Sequence, residues 1–338
     1  MGRDLRTLAD LAGPENFTGT YSSATVVPRV DIVGTERTLA NATVASLVHQ
    51  LFVPRPEPVF AEWGVQANGS PPTSEKIAII MADDRPLMSL DQVPTVNMQP
   101  EYHDLNMLSM TAVANMVYAA RHGYDFKLMS LPAPRDRSPT WNKVRAIYAA
   151  LAHYDLVAFI DTDSWFAQPS LSLAELMDRW RFGPAASLLL PLDPPGQPSA
   201  NFNSTNTGFW LVRNTTVSRN ALRALWRCPE TIAECAPLKR GFPHEQGAFS
   251  RFIRPRLAEW DQLVIAPCEE SNGFWRHWKC KGSVIVHPWD CKECVVPRVR
   301  DLLVREHWAV YRKMLHASHH VRCTGPDGLD ACLEQEPV

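Results

Sequence analysis

The sequence lacks any run of about 18 consecutive apolar residues, the length that a membrane-spanning helix requires. Residues 1–30 also lack the apolar core of a signal peptide. The chain is therefore expected either to be cytosolic or to follow an N-terminal membrane anchor that has been removed. Its formal net charge of −2 provides no basic field, so a nucleic-acid partner is not expected.

Cysteine is absent from the first two thirds of the chain. An even number of cysteines in the loop-rich last third indicates disulfides and an oxidising compartment. A structural zinc is the alternative, because Cys291 and Cys294 form a C-x-x-C motif, but no second close pair accompanies it. The eight cysteines are Cys228, Cys235, Cys268, Cys280, Cys291, Cys294, Cys323 and Cys332.

Glycosylation sequons support the same compartment, since none of the five is followed by proline. Together with the cysteines they favour the secretory pathway over the cytosol. We therefore expect a protein of the secretory pathway, whose only membrane contact would be the removed anchor. The sequons begin at Asn16, Asn41, Asn68, Asn203 and Asn214.

The hydrophobicity pattern divides the chain into three parts. Residues 1–75, rich in proline and small polar residues, are predicted to be a stem or linker with a short helix at Val44–Phe52. Residues 76–322 form the main domain, and 323–338 a C-terminal tail tethered by a disulfide. Alternating strand and helix patterns from Lys76 onward predict an α/β domain that begins with a mononucleotide-binding half.

The most informative segment is an apolar run at 156–160 that ends at Asp161, with Asp163 two positions later. Five apolar residues bounded by charge are typical of a strand buried on both faces. Ligands of such sheets bind beyond the carboxyl ends of the strands. Two carboxylates there predict a solvent-lined site for a hard divalent cation and the phosphates that it bridges.

Several further motifs follow or precede these acids in a fixed order, and the order is more specific than any one of them. Taken together, residues 76–310 resemble the retaining Golgi glycosyltransferases typified by fungal α-galactosyl- and α-mannosyltransferases and plant xyloglucan xylosyltransferases. That resemblance implies a GT-A fold, which is a Rossmann-like α/β fold with a mixed central sheet flanked by helices. The motifs are Lys143 on a helix, Asp161-x-Asp163, Asn206-x-Gly208, Glu245-Gln246 and His287.

The resemblance also implies roles for the residues that match. Mn²⁺, or Mg²⁺, would be held by Asp161, Asp163 and His287, in keeping with the preference of these metals for oxygen and imidazole ligands. The partners would be a UDP- or GDP-linked sugar donor and a glycan or other hydroxyl acceptor. Donor-binding residues would include Asp161, Lys143 and Gly208, and residues acting at the transferred sugar would be Glu245, Gln246 and Asn206. The resemblance further implies a location in the Golgi lumen with type II topology. By their position at the end of the first predicted strand, Asp83 and Asp84 are also expected to bind the donor, at its base or ribose, with a solvated acidic turn as the alternative.

Other interpretations stay open from sequence alone. The chain could be a catalytically silent GT-A fold that binds sugars, or a Mg²⁺-dependent phosphatase in which Asp161 is the nucleophile. Glu245 stands where the family usually has aspartate, so the identity of the sugar, hexose or pentose, is not predicted. Tryptophans are expected mostly in the core, although one or two near the metal could stack on an acceptor sugar; those considered are Trp165, Trp210, Trp275, Trp278 and Trp289.

Overall fold

The computed structural model describes residues 75–83, 85, 107–131, 133–194, 204–258, 261–317, 321–323 and 332–334. The predicted stem up to residue 74, its helix at Val44–Phe52 and the candidate residue Asp84 lie outside these ranges. The domain boundaries drawn from sequence therefore stay predictions.

A six-stranded mixed sheet forms the centre of the molecule, in the order β2-β1-β3-β6-β5-β7. Strands β1, β2 and β3 are parallel, and β5 is parallel to β7, whereas β6 runs antiparallel to both of its neighbours. The sheet strands are β1 Ile77–Asp83, β2 Asp125–Ser130, β3 Leu156–Ile160, β5 Leu188–Pro191, β6 Phe209–Arg213 and β7 Leu263–Ala266. Two short antiparallel pairs accompany it: β4 Trp165–Phe166 with β8 Ile285–Val286, and β9 Val321–Cys323 with β10 Cys332–Glu334.

Helices cover both faces of the sheet, which explains why its strands are apolar on both sides. In β1, for example, Ile79 and Met81 belong to one hydrophobic cluster and Ala78 and Ile80 to the other. The predicted α/β class is thus confirmed. The helices are α1 Met107–His122, α2 Asn142–Ala150, α3 Leu173–Arg179, α4 Thr216–Thr231, α5 His244–Ala248, α6 Arg254–Ala258, α7 Cys268–Ser271 and α8 Val295–Ala317. None of the helices in the described ranges combines the length and apolarity needed to cross a bilayer.

Disulfides join six of the eight cysteines, as the even count predicted: Cys228–Cys235, Cys268–Cys280 and Cys291–Cys294. The two cysteines of the C-x-x-C motif are bonded to each other, so the zinc interpretation of that motif is wrong. The remaining two are register partners in the β9–β10 pair.

Candidate active site

The turn after β3 places the two acids at the carboxyl edge of the sheet. Two polar side chains of α1 hydrogen-bond to the backbone of this turn. Thr111 Oγ1 donates to the Thr162 carbonyl at 2.7 Å, and Asn115 Nδ2 donates to the Ser164 carbonyl at 3.0 Å. Both polar side chains are buried. The backbone between Asp161 and Ser164 is therefore fixed by side chains that the apolar periodicity of α1 did not reveal.

Asp161, Asp163 and His287 converge at this edge. One ligand atom from each lies within 4.8 Å of the others, and His287 Nε2 is 3.4 Å from Asp163 Oδ1. Strand pairing explains the convergence, because Trp165 of β4 is the register partner of Val286 in β8. The short β4–β8 pair thus places His287 beside acids that lie about 120 residues earlier in the sequence. The grouping that the motif order predicted is present.

The contacts of His287 suit a metal ligand. Its Nδ1 lies 3.1 Å from Asn272 Oδ1, and in the tautomer that donates to this oxygen Nε2 presents its lone pair toward Asp163. Burial lowers the pKa of His287 to about 4, which keeps the ring neutral at physiological pH. Asn272 was not identified from the sequence, where nothing distinguishes it from a loop asparagine.

Gly208 occupies a position with no room for a side chain. A Cβ atom there would lie 2.4 Å from Cε1 and 2.5 Å from Nδ1 of His287, and 2.9 Å from Oδ1 of Asn206. The glycine is therefore required for close approach of the backbone to the candidate metal ligand. Gly208 thus makes space for His287, whereas its predicted contact with the donor stays a prediction.

Replacement of Gly208 by alanine should displace the His287 ring and weaken Mn²⁺ binding by roughly ten- to hundredfold, the range for changes that misorient a metal ligand. Titration calorimetry with Mn²⁺ would measure this. Gly183→Ala is the matched control, since an added Cβ at Gly183 meets no atom within 4 Å. Equal affinities of the two variants would show that His287 does not ligate the metal.

Lys143, near the start of α2, is buried between two carboxylates. Its Nζ lies 3.0 Å from Asp161 Oδ1 and 3.2 Å from Glu245 Oε1, and it donates to the Thr207 carbonyl at 3.1 Å. Burial by itself would lower the pKa of Lys143, but Asp161 and Glu245 outweigh it and hold that pKa above its usual value. Burial likewise opposes ionisation of Glu245, yet Lys143 keeps the pKa of Glu245 below its usual value. Lys143 and Glu245 therefore form a buried ion pair beneath Asp161.

Asp193 orients the side-chain amides of the site. It accepts from Asn206 Nδ2 at 3.1 Å and from Gln246 Nε2 at 3.2 Å. The amide oxygens are also engaged, since the backbone N–H of Gly208 donates to Asn206 at 2.7 Å and that of Thr207 donates to Gln246 at 3.3 Å. Asp193 was missed from the sequence, although it is an acid just beyond the buried strand β5, the same signal that identified Asp161.

Lys292 covers the acid pair from the solvent side. Its Nζ forms an ion pair with Asp163, and about half of the Lys292 side chain is exposed, whereas that of Asp163 is 8% exposed. The expectation of a solvent-lined acid is therefore wrong for Asp163, because the lysine shields it. Burial lowers the pKa of Lys292 to about 8. From the sequence, this lysine was only a spacer within the C-x-x-C motif.

Asp83 lies at the end of β1 and is tied to the same edge through an arginine. Its carboxylate accepts from Arg85 Nε at 2.8 Å and Nη2 at 2.6 Å, and Arg85 Nη2 also donates to Thr162 Oγ1 at 3.2 Å. Burial tends to raise the pKa of Asp83, but the hydrogen bonds from Arg85 outweigh it and lower that pKa. Asp83 is thus linked to the turn that holds Asp161 and Asp163.

The clustering of cysteines around His287 predicts a disulfide-bonded cap that holds this residue in place. Cys268–Cys280 and Cys291–Cys294 bracket His287 in sequence, and His287 N donates to the Gly273 carbonyl at 2.7 Å inside the first bridged loop. Cys228–Cys235 does not belong to such a cap, because it packs in the hydrophobic cluster with α2 and α4. It bonds the last turns of α4 to the segment that follows this helix.

No family model and no curated protein matches this chain. Among solved structures, it is similar to a glycosyltransferase involved in glycosylation of the major capsid of PBCV-1, at 14% identity and a TM-score of 0.49, covering 66% of this chain and 98% of that one. Mouse xyloside xylosyltransferase 1 aligns at 11% identity and a TM-score of 0.37, over 64% of this chain and 98% of its own. The glycosyltransferase GlyE of Streptococcus pneumoniae aligns at 15% identity and a TM-score of 0.40, over 70% and 64%.

At these TM-scores the similarities carry no functional assignment. The predicted GT-A type of α/β fold is confirmed by the molecule itself, with its mixed central sheet flanked by helices and its antiparallel β6. The function has to be argued from the Asp161, Asp163 and His287 cluster and the groups around it.

Proposed function

We propose that this chain is a metal-dependent retaining glycosyltransferase, which moves a hexose or pentose from a nucleoside-diphosphate sugar to a hydroxyl of a glycan acceptor. The observation that carries the proposal is the convergence of Asp161, Asp163 and a neutral His287 at the carboxyl edge of the sheet. Ligands of open α/β sheets bind at this edge. The disulfides and sequons support a location in the oxidising lumen of the secretory pathway, which we propose to be the Golgi.

Two carboxylates and one imidazole suit Mn²⁺ or Mg²⁺ better than Zn²⁺, which prefers more nitrogen and sulfur ligands. When bound, such a cation supplies Lewis-acid stabilisation of the negative charge on the departing nucleoside diphosphate. Asn272 orients His287 for this task, and Gly208 leaves room for its ring. The site residues therefore fit a hard divalent cation in both ligand type and orientation.

Lysine charges complement the diphosphate. Lys292 is the solvent-facing cation beside Asp163, and it would neutralise phosphate oxygens of a bound donor. Lys143 is too deeply buried for that role, and it instead holds Asp161 and Glu245 in fixed positions. The positive charge near the leaving group thus comes from one exposed lysine, while the buried lysine organises the acids.

The transferred sugar would contact two side-chain amides that are held in fixed positions. Asn206 and Gln246 are held by Asp193 and by backbone N–H groups, so they can bind sugar hydroxyls without reorganising. Glu245 is engaged by Lys143 and by Thr207 Oγ1, at 3.0 Å, which leaves it as a positioning group instead of a nucleophile. Retention would then follow from attack of the acceptor hydroxyl on the face that the diphosphate leaves.

Release of UDP or GDP from a panel of UDP-galactose, UDP-glucose, UDP-xylose and GDP-mannose, with Mn²⁺ and no acceptor, tests the proposal. At least one donor should be hydrolysed slowly, EDTA should abolish the release, and added Mn²⁺ should restore it. Full activity in EDTA would refute the metal assignment. Calorimetric binding of Mn²⁺ and nucleotide without turnover of any donor would instead identify a silent sugar-binding fold.

A phosphatase control separates the remaining alternative. A Mg²⁺-dependent phosphatase with Asp161 as its nucleophile should release phosphate from p-nitrophenyl phosphate, whereas the proposed transferase should not. Asp161 is held by Lys143 at 3.0 Å, which favours a fixed ligand over a group that must swing to attack phosphorus. Phosphate release without nucleotide-sugar turnover would overturn the proposal.

A further inference from the structure

A short surface loop, residues 273–281, projects beside the candidate metal site. It starts and ends as a narrow hairpin, because Gly273 and Lys281 form a β-bridge, Phe274 N donates to the Cys280 carbonyl at 3.2 Å, and Cys280 is bonded to Cys268. The Gly273 carbonyl also accepts from His287 N at 2.7 Å. The base of this 273–281 loop is therefore rigid and attached directly to the candidate metal ligand.

Aromatic rings connect the loop to the site. The Trp289 ring lies 5.6 Å from that of His287 and 5.9 Å from that of His277, and His277 in turn stacks on Trp278 with centroids 6.0 Å apart. Trp278 is 74% exposed and is thus an exception to the expected core location, which holds for the buried Trp165. A large apolar ring thus stands in solvent, linked to His287 through the rings of His277 and Trp289.

The same loop is strongly basic on its surface. Arg276, Lys279 and Lys281 are exposed, and within the described part of the chain none of them pairs with a carboxylate. This local excess of positive charge contrasts with the net charge of −2 of the whole chain. Arg276 Nη1 donates to Cys291 Sγ at 3.5 Å and Lys281 Nζ to the Trp275 carbonyl at 3.2 Å, contacts that leave both charges without a counter-ion. An exposed tryptophan among cations without a carboxylate partner is a surface that attracts an anion with an apolar face.

An unpartnered donor lies between the loop and the site. The Nε1–H of Trp289 is buried and has no hydrogen-bond acceptor among the described residues. A buried donor without a partner costs free energy unless something supplies an oxygen to it.

We propose that the 273–281 loop binds the acceptor, and that this acceptor is an anionic glycan whose sugar ring stacks on Trp278 and whose carboxylate or sulfate groups pair with Arg276, Lys279 and Lys281. The role of this glycan as acceptor rests on the proposed transferase function, whereas its binding to the loop does not depend on that function. Pyranose rings offer apolar C–H faces to an aromatic ring, and charged sugars add the anion that these cations lack.

A glycan fits this surface better than a lipid bilayer does. Insertion into a membrane interface draws on several apolar side chains on one exposed face. Here Trp278 is the single large aromatic of the loop that is exposed, since Phe274 is buried and Trp275 is covered by Arg298, whose guanidinium carbon lies 4.4 Å from the ring centroid. One ring surrounded by cations suits a single charged sugar.

Binding of polygalacturonate oligosaccharides, compared with the same oligosaccharides fully methyl-esterified, tests the proposal because esterification removes the charge of each carboxylate and adds only a methyl group. The intact chain should bind the charged form roughly tenfold more tightly at low salt, and the preference should shrink as salt rises. Trp278→Ala and Lys279→Glu should each weaken binding of the charged form by about three- to tenfold. Arg305→Glu is the matched control, because Arg305 is an exposed cation on α8 and should bind like the parent.

The outcomes separate the loop from the catalytic proposal. Equal binding of the charged and esterified oligosaccharides, or binding unchanged by Lys279→Glu, would overturn the anionic-glycan site. Binding of anionic phosphatidylserine vesicles without binding of polygalacturonate would overturn it in favour of a membrane surface. Selective binding of polygalacturonate by a chain that hydrolyses no nucleotide sugar would uphold the loop and overturn the transferase.

Discussion

Replacement of Lys143 by methionine is expected to lower the free energy of unfolding by about 3–5 kcal/mol, the usual cost of removing one partner from a buried ion pair. The lysine side chain is 7% exposed and that of Glu245 is 4% exposed, so water cannot replace the lost cation. Asp161 loses its partner as well, and donor turnover should fall with it. Urea denaturation monitored by circular dichroism at pH 7 would measure the change.

The pH dependence identifies the cause of this loss. In the parent, Lys143 lowers the pKa of Glu245, so this carboxylate contributes stability that is present above its unfolded pKa and is lost on acidification. In the variant, burial without a cation should raise the pKa of Glu245, so protonation on acidification relieves the strain. The stability difference between the two proteins should therefore narrow as the pH falls from 7 toward about 4.

A second substitution provides the matched control. Glu245→Gln keeps the shape of the side chain and removes its charge, so Lys143→Met combined with Glu245→Gln should recover part of the lost stability. A Lys143→Met variant that unfolds within about 1 kcal/mol of the parent at pH 7 would contradict the buried ion pair.

Replacement of Asp163 by alanine should reduce donor turnover by roughly a hundredfold or more, on the order of 3 kcal/mol of lost transition-state stabilisation. Its carboxylate is one of the three groups that converge on the candidate metal position, and the substitution also frees Lys292 from its ion pair. Turnover of the best donor and Mn²⁺ affinity by calorimetry should fall together. Near-native turnover with an unchanged Mn²⁺ requirement would refute the assignment.

Asp178→Ala controls for the loss of a negative charge elsewhere. Asp178 is an exposed acid on α3, away from the cluster, and its removal should leave both turnover and Mn²⁺ affinity unchanged. Thermal denaturation of both variants would show whether any loss of activity reflects unfolding. A loss of turnover equal to that of Asp163→Ala would indicate a general charge effect and no specific ligand.

Local sequence pattern was sufficient for the strand–helix order of the first half and for the candidate metal acids. A strand buried on both faces has to be apolar throughout, and its end is marked where the apolar run stops, as at Asp161. Strand β7 at Leu263–Ala266 was missed, because its four residues carry too little periodicity to stand out from the surrounding loops.

The order of the motifs predicted that His287 lies near Asp161 and Asp163. Only the tertiary structure identified the residues that contact these three groups. Asn272, Asp193 and Lys292 are separated in sequence from the groups that they hold, and each is an ordinary loop polar residue until strand pairing brings it close. The same applies to the direction of β6, whose antiparallel course delivers Gly208 beside Asp161, with Asp161 N donating to the Gly208 carbonyl at 2.8 Å.

By itself the sequence determined where the first strands end and that the cysteines pair, because an apolar run that stops at a charge and an even number of cysteines are visible without the fold. Tertiary structure decided which charges are buried. Lys143 became the buried centre of an ion pair and Lys292 the exposed cation, although both are single lysines of equal hydrophilicity in the sequence. The reason is that the free energy of a charge depends on the dielectric and the partners around it, which only packing defines.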